Sequence, residues 1–100
     1  MSSKEVLYGV RVGHVQDVAA ALAAHLNCTF ESRESDYFGE YCLARTGRGE
    51  LRIVAQPDPE GEPFEDEFEQ YQVLIYSTIM GDEIEFYGIP VGQGVVERLR

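Results

Sequence analysis

One helix-forming stretch in a chain of otherwise strand-like segments is the feature that most limits the fold. From Val15 to Leu26 the apolar residues Val15, Val18, Leu22 and Leu26 recur at helical spacing, with five alanines between them and Asn27 placed to end the helix. Before and after it the period is two. "VLYGVRV" puts Val6, Tyr8, Val10 and Val12 on one side of a strand over 5–12, and Gly13 ends it. A single helix cannot cover several strands except by lying on one face of a sheet. The expectation is therefore an α+β domain over 1–100, a two-layer sandwich in which helix 15–26 packs on a mainly antiparallel sheet of about five strands.

The remaining strands follow from alternation and punctuation. "CTFESRES" alternates as a half-exposed antiparallel strand over 28–35, and "DYFGEYCLAR" continues as another, with Gly39 a bulge or a point of close approach. "TGRG" turns into "ELRIVAQ", where Leu51, Ile53 and Ala55 share one side. "YQVLIYST" is apolar at consecutive positions, as in a central strand covered on both faces, with Tyr71 to Tyr76 its core. In the tail, "MGDEIEFYGI" reads either as a short helix over 82–88 begun by Asp82 or as a strand using Ile84 and Phe86, and the helix is preferred. Gly88, Pro90, Gly92 and Gly94 read as a loop and "VVERLR" as a terminal strand.

Between the sheet strands stands "PDPEGEPFEDEFEQY". Pro57, Pro59 and Pro63 forbid a central strand here. Pro63 is placed to open a helical turn that would align Phe64, Phe68 and Tyr71, with Glu65, Asp66, Glu67 and Glu69 turned away toward water or a partner. The aromatics have two readings: they pin the loop to the core, or they anchor an interface. The net charge of −10 is concentrated in this region, since residues 1–57 carry −1, residues 58–85 carry −10 with no base among them, and residues 86–100 carry +1. Such a field steers a basic partner and repels nucleic acid and anionic membranes. The same charge can also serve solubility alone.

Apolar residues at 44% and aromatics at 11% exclude a wholly disordered chain. No stretch approaches a membrane span, and "MSSKEVLYGV" lacks the apolar region of a signal peptide, so the expected location is the cytoplasm. Cys28 and Cys42 are then expected to be reduced and buried rather than bridged. No arrangement of His14, His25 and the two cysteines supplies paired zinc ligands or a Cys–His nucleophile with an orienting third group. "DPEGE" places its glycine wrongly for a calcium loop, and "GRG" and "GQG" lack the lysine and hydroxyl of a phosphate loop. No catalytic residues, metal or cofactor are therefore expected, and the chain reads as a binding protein rather than an enzyme.

"FESRESDYFGEYCLA" carries a resemblance. With Phe30, Arg33 to Tyr37, Gly39, Tyr41, "LRIV" at Leu51 to Val54 and "YQVLIY" at Tyr71 to Tyr76, the chain resembles the small acidic immunity proteins of bacterial polymorphic-toxin and contact-dependent inhibition systems. Cys42 stands where a second aromatic is often found in them, and Gln56 where an asparagine is expected. The resemblance implies a stoichiometric inhibitor that occludes the active site of a toxin domain. The acidic segment agrees with this by charge, because toxins that act on nucleic acid need a basic cleft. The expected contact residues are Asp58, Glu60, Glu62, Phe64, Glu65, Asp66, Glu67, Phe68, Glu69, Asp82, Glu83 and Glu85. Two alternatives remain: an interaction module whose acidic loop only keeps it soluble, and a small-ligand binder or enzyme using the sheet face around Arg33, Tyr37 and Tyr41.

Overall fold

The computed structural model describes residues 3–46, 49–80 and 88–99 and shows an α+β fold. Strands β1 (Ser3–Val10), β2 (Glu31–Ser35), β3 (Gly39–Thr46), β4 (Gly49–Ala55), β5 (Val73–Met80) and β8 (Glu97–Arg98) form one antiparallel sheet in the order β2-β3-β4-β5-β1-β8. β6 (Pro90–Val91) and β7 (Gly94–Val95) form a separate two-stranded hairpin. Helix α1 (Val15–Leu26) lies on one face of the large sheet, burying Val15, Val18, Ala19 and Leu22. Asn27 ends it in the left-handed conformation (φ 54°), and its backbone N–H donates to the Ala23 carbonyl.

Strand pairing sorts the side chains onto two faces. Val6, Tyr8 and Val10 of β1, Cys42 and Ala44 of β3, Leu51 and Ile53 of β4, and Val73 and Ile75 of β5 meet α1 in the main core. The opposite face carries Leu7, Val54 and Leu74, and the acidic segment folds back over it. Tyr71, Phe64, Phe68, Phe38, Tyr41 and Leu99 complete that second cluster. The sheet is thus covered by a helix on one side and by an aromatic-lined loop on the other, which explains why β5 is apolar at successive positions.

Several boundaries differ from the sequence expectation. β1 ends at Val10, and Val12 is 53% exposed, because the chain bends where the Gln72 N–H donates to the carbonyls of Val10 and Arg11. β2 begins only at Glu31, while Cys28 and Phe30 lie before it as partly buried neighbours of the core. Residues 36–38 form a turn rather than strand, held where the Phe38 N–H donates to Ser35 Oγ at 2.9 Å. Gly39 then begins β3 at φ 70°, where an added Cβ would lie 3.1 Å from Pro59, so the expected close approach is present. The central strand runs from Val73 to Met80 rather than from Tyr71 to Tyr76, with Tyr71 and Gln72 lying before it.

Pro63 does not open a helical turn. The Gln56 side-chain oxygen accepts from the Glu65 N–H at 2.9 Å, keeping Glu65 extended, so a 3-10 turn starts later, at Asp66–Phe68. The glycine- and proline-rich segment after residue 87 is a hairpin rather than a loop, closed by bonds from the Gly88 N–H to the Val96 carbonyl and from the Val96 N–H to the Ile89 carbonyl. The terminal strand is split into β7 and β8 around Val96, and β8 pairs with the outer edge of β1. The helix-or-strand expectation for 82–88 and the turn at 47–48 rest on residues outside those described. Cys28 and Cys42 are free cysteines; Cys42 is buried as expected, whereas Cys28 is only half-buried. Burial pushes both above the ordinary cysteine range; for Cys42 the Glu40 carboxylate adds to this, and a Ser32 hydrogen bond opposes it.

Candidate partner-binding site

The acidic loop is built from the inside out around Gln56. This side chain is buried, and its amide Nε2 donates to the carbonyls of Phe68 and Tyr71 at 2.9 Å each, while its oxygen holds the Glu65 N–H. One side chain thereby fixes both ends of the 65–71 segment. Asp58 organises the preceding bend: its Oδ1 accepts from the N–H groups of Glu60 and Glu62, both at 2.9 Å, in a local turn. Two of the seven loop carboxylates are thus structural partners, since Glu65 Oε1 also accepts from the Tyr76 hydroxyl at 3.1 Å.

The other five have a different environment. Glu60, Glu62, Asp66, Glu67 and Glu69 are exposed, and among the described residues none forms an ion pair. The described arginine pairs all use carboxylates outside the loop: Arg11 with Glu97, Arg33 with Glu31, and Arg45 and Arg52 with Glu50. Phe64 and Phe68 are half-buried against the second cluster, Phe68 at 6.1 Å from the Tyr71 ring, so both pin the loop to the sheet. Asp82, Glu83 and Glu85 lie outside the described residues.

Beside the loop the sheet face is not fully covered. A hollow of about 380 Å³ is bounded by Phe64 and Glu65 of the loop, Tyr37 and Phe38 of the 36–38 turn, and Glu5, Glu50, Arg52, Tyr76 and Thr78 of the strands. Its aromatic wall is continuous: Tyr37 meets Phe38 and Phe64 edge-on, at 4.9 and 5.5 Å between ring centres, and Phe38 lies 5.6 Å from Phe64. Tyr37 is 67% exposed, one of the few large hydrophobic side chains on the surface among the described residues. On the floor, the Arg52 guanidinium sits 5.1 Å from the Phe38 ring centre and donates to Glu50 at 3.1 Å.

This arrangement joins part of what the sequence suggested and adds to it. Phe64 and Glu65 of the expected contact set and Tyr37 of the alternative set share the hollow. Tyr41 instead packs behind Phe38, and Arg33 is paired with Glu31 at the exposed edge strand. Glu5, Glu50, Arg52, Tyr76 and Thr78 were missed. They meet through strand register: Glu50 pairs with Thr78 and Thr78 with Glu5, so carboxylates far apart in sequence flank one threonine. Among the described residues no three His, Cys, Asp or Glu side chains converge as a metal site, and no helix is long and apolar enough to cross a membrane. The chain matches no protein-family model, no curated protein and no solved structure.

Proposed function

We propose that the protein is a non-enzymatic inhibitor of the immunity type, which neutralises a basic partner, a toxin domain, by binding it through the acidic loop and masking its working surface. The observation that carries this reading is the division among the loop carboxylates. Asp58 and Glu65 are tied into the fold, whereas Glu60, Glu62, Asp66, Glu67 and Glu69 are exposed, with no ion pair among the described residues, on a loop held down by Gln56, Phe64 and Phe68. A set of like charges held together by a rigid scaffold pays a repulsive cost that a cationic surface relieves, and it speeds encounter with one. A flexible tail would solubilise without such a scaffold. Action in the cytoplasm accords with two free thiols.

The test is to recover the bound chain from the source organism with tagged protein and to assay it. The reading expects a one-to-one complex with a basic domain whose toxicity or catalytic activity is lost on binding. A partner that remains active in the complex, or one without a basic surface, contradicts it.

A further inference from the structure

We propose that the hollow between β1, β4, β5 and the 36–38 turn is a receptor for one arginine side chain of the basic partner; this rests on the proposed function for its biological source but not for its chemistry. Three carboxylates border the hollow: Glu50 is paired with Arg45 and Arg52, Glu65 accepts from the Tyr76 hydroxyl, and Glu5 is exposed at the edge, while four aromatic rings, Tyr37, Phe38, Phe64 and Tyr76, form much of its wall. Acid and aromatic lining together select an organic cation, because ring faces attract positive charge and carboxylates pair with it.

The spacing identifies the kind of cation. Glu5 and Glu50 sit on strands either side of Thr78, two strand spacings apart, roughly 10 Å between their backbones. Among the described residues no three His, Cys, Asp or Glu side chains converge to hold a metal ion, whereas a planar guanidinium can stack on a ring and reach a single carboxylate from its edge. The protein already contains one example of that geometry. Arg52 lies over Phe38 while bonded to Glu50, so the hollow accommodates a guanidinium in this pose from its own chain. Glu5 is exposed and Tyr37 projects at the rim, and both are available to a second guanidinium entering from outside. An ammonium group lacks the flat face and the forked donors that this site rewards.

The experiment titrates the isolated protein with Nα-acetyl-arginine amide and follows the backbone and aromatic NMR signals. The expected result is a saturable shift centred on Tyr37, Phe64, Tyr76 and Thr78. The lysine analogue should bind roughly tenfold more weakly, and the uncharged citrulline analogue should give no saturable shift. Glu5→Gln and Tyr37→Ala, both exposed positions, should each weaken the arginine response severalfold while leaving the thermal transition in place. No saturable shift, or equal responses to arginine and citrulline, overturns the proposal; equal responses to arginine and lysine overturn its guanidinium selectivity. Because no partner is used, these outcomes do not depend on the proposed function. Conversely, if a basic partner is bound with unchanged affinity by the Glu5→Gln, Tyr37→Ala double variant, the receptor proposal fails while the inhibitor reading stands.

Discussion

Gln56 is the residue on which the acidic loop depends most. Replacing it by leucine keeps the volume but strands the Tyr71 carbonyl and the Glu65 N–H, while the Phe68 carbonyl keeps its bond from the Tyr71 N–H. Buried or half-buried polar groups left without partners cost about 1–3 kcal/mol each, so Gln56→Leu should lower stability by on the order of 2–3 kcal/mol. Denaturant unfolding checks this, and hydrogen exchange should show the loss concentrated at 65–71. The loop acids should also differ among themselves. Asp58→Ala removes two hydrogen bonds to backbone and should cost about 1 kcal/mol, whereas Glu60→Ala removes a solvated charge and should be neutral or mildly stabilising. Equal effects from the two would show that Asp58 has no structural role. The thiols give a pH-dependent signature. Cys28 and Cys42 are raised by burial, so the folded state holds their protons more tightly than the unfolded chain does. The stability this contributes is intact below the ordinary cysteine range and is lost as pH rises through the higher folded values. A Cys42→Ala variant should therefore lose less stability than the parent between pH 8 and pH 10, read by thermal melts.

At the scale of elements, the loop is a covering layer and the adjoining turn supplies the exposed aromatic. Phe68→Ala should lower stability by about 1–2 kcal/mol and hardly change the dissociation rate from a partner, because Phe68 packs on Tyr71 in the second cluster. Tyr37→Ala should behave in the opposite way, with little change in melting temperature and faster dissociation, because Tyr37 is largely exposed. Paired melting and dissociation measurements on these two variants decide which ring faces the partner. Much of the element pattern was legible beforehand: α1 from its alanines and apolar period, its end from Asn27, and β4 and β5 from alternation and continuous apolarity. The misread parts have local causes. Tyr37 and Phe38 look like strand residues but are turned by the Ser35 hydroxyl, and Glu65 is held extended by a glutamine nine positions earlier. The row Glu5–Thr78–Glu50 depends on the register of three strands, which no local pattern encodes. The hollow was hidden for that reason.

Across the whole molecule, the charge is distributed unequally over an otherwise ordinary α+β sandwich. The helix-covered half contains the main core, and the opposite half contains the loop and the aromatic hollow. The balance of charge over residues 1–57, where most of the described ion pairs lie, contrasts with the excess over 58–85. That separation makes the account electrostatic before it is anything else. Exposed charges are screened within about 8 Å at physiological salt, so steering by the loop must weaken as salt is added, while contacts already formed in a desolvated hollow respond less. The most direct test is the association rate constant with the recovered partner, measured from low to high ionic strength for the parent and for a variant carrying Gln at positions 60, 62, 67 and 69 and Asn at 66. The account predicts a steep fall for the parent, roughly tenfold or more, and for the variant a slower rate at low salt with a shallower salt dependence. A parent rate that is flat with salt, or a variant that associates as fast as the parent, would contradict it.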